Sequence, residues 1–162
     1  MPDRSHCRDQ LLLLLTEELQ YAIRLEALLT AEGDALTGRD IERVEGLVRE
    51  KQTLLQAFEI LEVRRHEQVA AAGFSADRAG LEDCIAWCDS QGRLARLWSE
   101  LMVHIRQCQH LNRRNGAVVD VSRRHVQQTL TLLRGQAPAT ALYSPAGSTT
   151  DSGIPGRTLA KA

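Results

Sequence analysis

The sequence predicts an all-α protein: an antiparallel bundle of three long, coiled-coil-like helices with a short extra helical segment and a flexible C-terminal tail. Three observations carry this reading. No proline occurs between Pro2 and Pro138, and a proline inside a helix costs about 3 kcal/mol and removes a hydrogen bond. Leucines and other apolar residues recur along that span at steps of three and four, the period of an amphipathic helix. Aromatic residues make up only 4% of the chain, which suits helix-on-helix packing by Leu and Ala rather than a sheet.

The first long helix is expected from about Asp3 to Leu36. Leu15, Ala22, Leu29 and Leu36 repeat every seven residues, and Leu11, Leu19, Leu25 and Leu28 widen the stripe. Glu17, Glu18, Gln20, Arg24 and Glu26 fall mostly off it and are expected in water. Residues 37–40, Thr-Gly-Arg-Asp, form the break: Gly38 ends one helix, and Thr37 or Asp40 caps the next. So short a connection makes the two helices antiparallel neighbours.

The second helix is expected from Ile41 to about Ala72, along Ile41, Val44, Leu47 or Val48, Lys51, Leu54 or Leu55, Phe58, Leu61, Arg65 and Val69. Gly73 stops it, and Ser75 or Asp77 starts the next segment. Residues 78–88 read either as a separate short helix, because Ser90-Gln91-Gly92 weakens continuity, or as the start of the third long helix. The third long helix runs from about Arg93 to Leu133 on a seam of Leu94, Trp98, Leu101, Ile105, Cys108, Asn112, Asn115, Val119, Val126, Leu130 and Leu133. Gly116 and the valines at 118, 119 and 121 are its weak points.

At 1.5 Å per residue the first two helices are roughly 50 Å long and the third roughly 60 Å. The last turns, with Val126, Leu130 and Leu133, are therefore expected to lack an intramolecular partner, and such a stripe marks an interaction site. The organisation is a helical bundle over 1–135 and a flexible tail over 136–162. The tail is rich in Pro, Gly, Ser and Thr, and its isolated hydrophobes are Leu142 and Tyr143. Such a pair is either a short docking motif or a chance occurrence.

Composition narrows the function. Hydrophobic residues make up 43% and charged residues 25%, ordinary for a chain with a real core. Residues 1–80 carry 15 acidic and 10 basic side chains, and 81–135 carry 5 and 8. No basic run of five exists, so charge gives no support for nucleic-acid binding. The leucine run Leu11 to Leu15 is too short for a membrane span or a secretory signal. The expectation is an untargeted cytoplasmic protein without membrane insertion, a monomer or weak homodimer.

Chemistry is sparse. Cys84 and Cys88 stand at i, i+4, as do His104 and Cys108, and the two pairs would make a Cys3His zinc site if they faced each other. The reading taken is buried core thiols, with no metal and no cofactor. Glu17, Glu18 and Glu26, or Glu59 and Glu62, would be the paired carboxylates of an acid–base site, but charged residues on helix faces are ordinarily solvated. No P-loop, dinucleotide fingerprint or nucleophile elbow is present. The expectation is a non-enzyme. Trp87 and Trp98 read as core. Asn112 and Asn115 lie on or beside the third helix's seam, either buried and fixing register or facing water.

Leu28-Leu29, Glu32, Ala35-Leu36, Arg39-Asp40, Val44-Glu45, Leu47, Glu50-Lys51, Leu54-Leu55, Phe58-Glu59, Leu61 and Arg64, in that order, resemble the FlgN family of flagellar export chaperones. Asn112-x-x-Asn115-Gly116 and Tyr143 followed by Gly147 agree with it, and the resemblance spans about residues 10 to 147. It implies a cytoplasmic chaperone for the C-terminal helices of the hook–filament junction proteins FlgK and FlgL. It also implies delivery of those clients to the export gate protein FlhA. Carried onto this sequence, it places client binding at Val118, Val119, Val126, Leu130 and Leu133, and gate docking at Leu142 and Tyr143. Residues 78–92, with Cys84 and Cys88, stand outside the pattern. The alternative reading is a self-associating coiled-coil scaffold.

Overall fold

The computed structural model describes residues 3–134. Among them are four helices and no strand: α1 (Arg4–Gly38), α2 (Ile41–Ala71), α3 (Arg78–Cys88) and α4 (Arg93–Leu133). Leu142, Tyr143 and the rest of the expected tail lie outside the described residues.

Local chemistry sets the boundaries. Asp3 caps α1 by accepting from the Ser5 N–H at 2.9 Å. The stop expected at Gly38 falls one residue later. Gly38 stays helical, and Arg39 takes the left-handed conformation (φ 56°, ψ 30°) with its N–H directed at the Ala35 and Leu36 carbonyls. Asp40 then caps α2 through the Arg43 N–H. Thr37 caps nothing, because its hydroxyl donates back to the Gly33 carbonyl. Gly73, at φ 90°, closes α2 as expected, with the Phe74 N–H donating to Val69 O. Asp77 caps α3 through the Gly80 N–H, and Ser75 Oγ donates to the same carboxylate. Asp89 separates α3 from α4: its N–H donates to Ile85 O, and its carboxylate accepts from the Arg93 and Ala95 N–H groups. Each such cap contributes about 1 kcal/mol. Gly116 and the three valines do not interrupt α4.

The chain divides into two units, Met1–Arg123 and Arg124–Ala162. In the first, α2 runs antiparallel to α1: Glu18 meets Arg65 and Glu32 meets Lys51. Within that unit α4 lies parallel to α1. Cys108 Sγ donates to Ala22 O, and Asn115 Nδ2 to Leu29 O, both across 86 positions.

Two apolar clusters fill this bundle. The larger joins Cys7, Leu11, Leu15 and Leu19 of α1 to Val69 of α2, to Leu81, Cys84, Ile85 and Cys88 of α3, and to Leu94 and Leu101 of α4. The smaller joins Leu25, Leu28 and Leu29 to Leu54, Cys108 and Leu111. Each fully buried leucine contributes about 1.5–3 kcal/mol. The short α3 closes one end of the larger cluster, and Trp87 and Trp98 pack half-buried against it. Ile41, placed on the seam by spacing, is exposed.

Candidate functional site

The exposed apolar side chains of α4 are set by helical geometry. In the second unit, Val126, Leu130 and Leu133 stand at i, i+4 and i+7 and therefore share a face. They are 57%, 44% and 78% exposed. In the first unit, Val118 is half-buried and Val119 is exposed. Val121, a site the spacing did not select, is exposed as well.

The polar groups expected to be solvated divide into two kinds. Glu17, Glu59 and Glu62 are exposed. Glu18 is not: it is fully buried and paired with Arg65, whose Nε donates to its two carboxylate oxygens at 2.9 and 3.1 Å. The Arg65 guanidinium also lies 5.5 Å from the centre of the Trp98 ring. Burial pushes the Glu18 carboxyl above its ordinary value, against the opposing pull of Arg65. The expectation of a solvated Glu18 fails because one position of helical phase separates the outer face from the groove between α1 and α2. Arg65 on the α2 seam was the available signal, since a buried guanidinium requires an acidic partner.

The two asparagines separate in the same way. Asn112 faces water. Asn115 is buried and donates to Leu29 O at 2.7 Å and to Glu32 Oε2 at 3.0 Å. Glu32 accepts in turn from Lys51. The network pins the level of α4 against α1 and α2.

The metal arrangement considered from spacing does not assemble. His104 Nδ1 pairs with Glu26 at 2.6 Å, and Cys108 belongs to the smaller cluster. Cys84 and Cys88 instead meet Cys7, and the three sulfurs lie within 4.8 Å of one another. Burial raises the Cys84 thiol to about 12 and the Cys88 and Cys108 thiols to about 11.

No described helix is long and apolar enough to cross a membrane. Long helices packed in a bundle define an all-helical protein. The family model of the FlgN protein matches residues 7–151, and the chain belongs to the FlgN family. That is a family of flagellar export chaperones rather than of enzymes. Comparison with curated proteins and with solved structures gives no significant match.

Proposed function

We propose that the protein is a cytoplasmic export chaperone for the hook–filament junction proteins FlgK and FlgL. It binds their C-terminal helices, keeps them unassembled and brings them to the export gate protein FlhA. The observation that carries this reading is the solvent exposure of Val126, Leu130 and Leu133 on one face of α4. A client helix with an apolar seam of its own buries that face by helix packing. Affinity alone blocks premature assembly, so no nucleotide is needed. Val118 and Val119 also bind the client in this reading, and Leu142 and Tyr143 dock the gate.

Changing Val126, Leu130 and Leu133 together to Asp should preserve helical circular dichroism and abolish capture of FlgK and FlgL C-terminal fragments. Capture at unchanged affinity would sink the assignment. Tyr143→Ala should keep client binding and weaken binding to the gate protein. The same exposed face would serve a second copy of the chain in a scaffold. A tight homodimer in sedimentation, dissociated by the triple change, would favour that reading.

A further inference from the structure

We propose that Cys7, Cys84 and Cys88 form a site for one thiophilic metal ion, Cu(I), held in trigonal all-sulfur coordination. The site is built from two helices. Cys84 and Cys88 stand one turn apart on α3 and share a face, and Cys7 arrives from the start of α1, 77 positions away from Cys84. All three side chains are buried.

The spacing is that of a shared ion. Cys7 Sγ and Cys84 Sγ are 3.7 Å apart. Two sulfurs each bound at ~2.3 Å to one ion lie roughly 3.8–4.0 Å from each other. The pair therefore needs almost no movement to become ligands, and the third sulfur lies within 4.8 Å of both.

The donor set selects the ion. Thiolates favour soft ions, Cu(I) and zinc foremost. Structural zinc takes four ligands, and among the described residues no fourth His, Cys, Asp or Glu joins the group. Cu(I) is satisfied by three sulfurs. The neighbours Leu11, Leu81 and Leu94 are fully buried and keep water from the ion.

Binding converts one Cu(I) ion and three thiols into one tris-thiolate complex and three protons, with no change of oxidation state. The complex carries two negative charges. Because each thiol must lose its proton to bind, uptake should strengthen as pH rises.

The test is anaerobic titration of the reduced full chain with Cu(I) against a chromophoric Cu(I) chelator. One equivalent should be retained, with thiolate-to-copper absorption in the near ultraviolet. X-ray absorption of the loaded wild-type protein should show three sulfurs at ~2.2–2.3 Å; this readout does not depend on any variant folding. Cys84→Ser should lose the equivalent, and Cys108→Ser should keep it. No chelator-resistant copper, retention in a Cys7→Ser/Cys84→Ser double variant, or a four-coordinate zinc bound in preference to Cu(I) would each overturn the proposal.

Discussion

Glu18 and Arg65 form a buried ion pair between α1 and α2, with 1% and 7% of their side chains exposed. Removing one partner leaves the other charge in the core. Arg65→Met alone should therefore cost about 3–5 kcal/mol. Replacing both, as Glu18→Leu with Arg65→Met, removes the desolvation penalty and should recover most of that loss. Urea unfolding of the wild type, both single variants and the double variant measures the coupling. A double variant no better than the worse single would show that shape, not charge, holds this site.

The same pair predicts a pH slope. Because burial raises the Glu18 carboxyl, the folded chain keeps that proton to higher pH than the unfolded chain does. The folded state then binds more protons across this window, so the Glu18 contribution falls as pH rises from about 4.5 through the folded value. Glu18→Gln lacks that term. The stability of wild type minus that of Glu18→Gln should decline with pH over this range and flatten above it. A rising difference would mean that Arg65 outweighs burial.

Asn115 sets up a ranking among substitutions. Asn115→Leu removes the side-chain donor to Leu29 O and to Glu32 Oε2, leaving Glu32 to Lys51 alone, and should cost about 1–3 kcal/mol. Asn115→Asp places a second carboxylate beside Glu32 and turns an acceptor toward the Leu29 carbonyl. It should cost more at neutral pH and recover at acid pH as the new carboxyl gains a proton. Thermal unfolding at two pH values separates the cases. An Asp variant as stable as wild type at neutral pH would show that the network does not hold α4 in place.

Two helical glycines should respond with opposite signs. A Cβ on Gly46 meets nothing within 4 Å, so Gly46→Ala should stabilise by roughly 0.5–1 kcal/mol through helix propensity. A Cβ on Gly80 would collide with the Ser75 carbonyl oxygen. That atom is backbone in the turn that caps α3, so Gly80→Ala should destabilise by about 2 kcal/mol despite the same propensity gain. Paired denaturant titrations decide it, and stabilisation by both changes would refute the close approach.

The sequence by itself determined the helices. Proline absence, apolar period and cap candidates such as Asp40 and Asp77 act within a few residues, so they are legible along the chain. Whether α3 joins α4 stayed open to spacing alone, and the Asp89 carboxylate on the Arg93 and Ala95 N–H groups makes the break. Tertiary structure decided which of two neighbouring polar side chains went inside. Glu17 and Glu18, like Asn112 and Asn115, sit beside the same stripe, and spacing does not say which falls in the groove between helices. That choice depends on the rotation of each helix against its neighbours, fixed by packing across 47 positions for Glu18 and Arg65 and 86 for Asn115 and Leu29. The meeting of Cys7 with Cys84 and Cys88 has the same origin. The i, i+4 pair was visible, but its third member came from another helix, and only packing brings helices together.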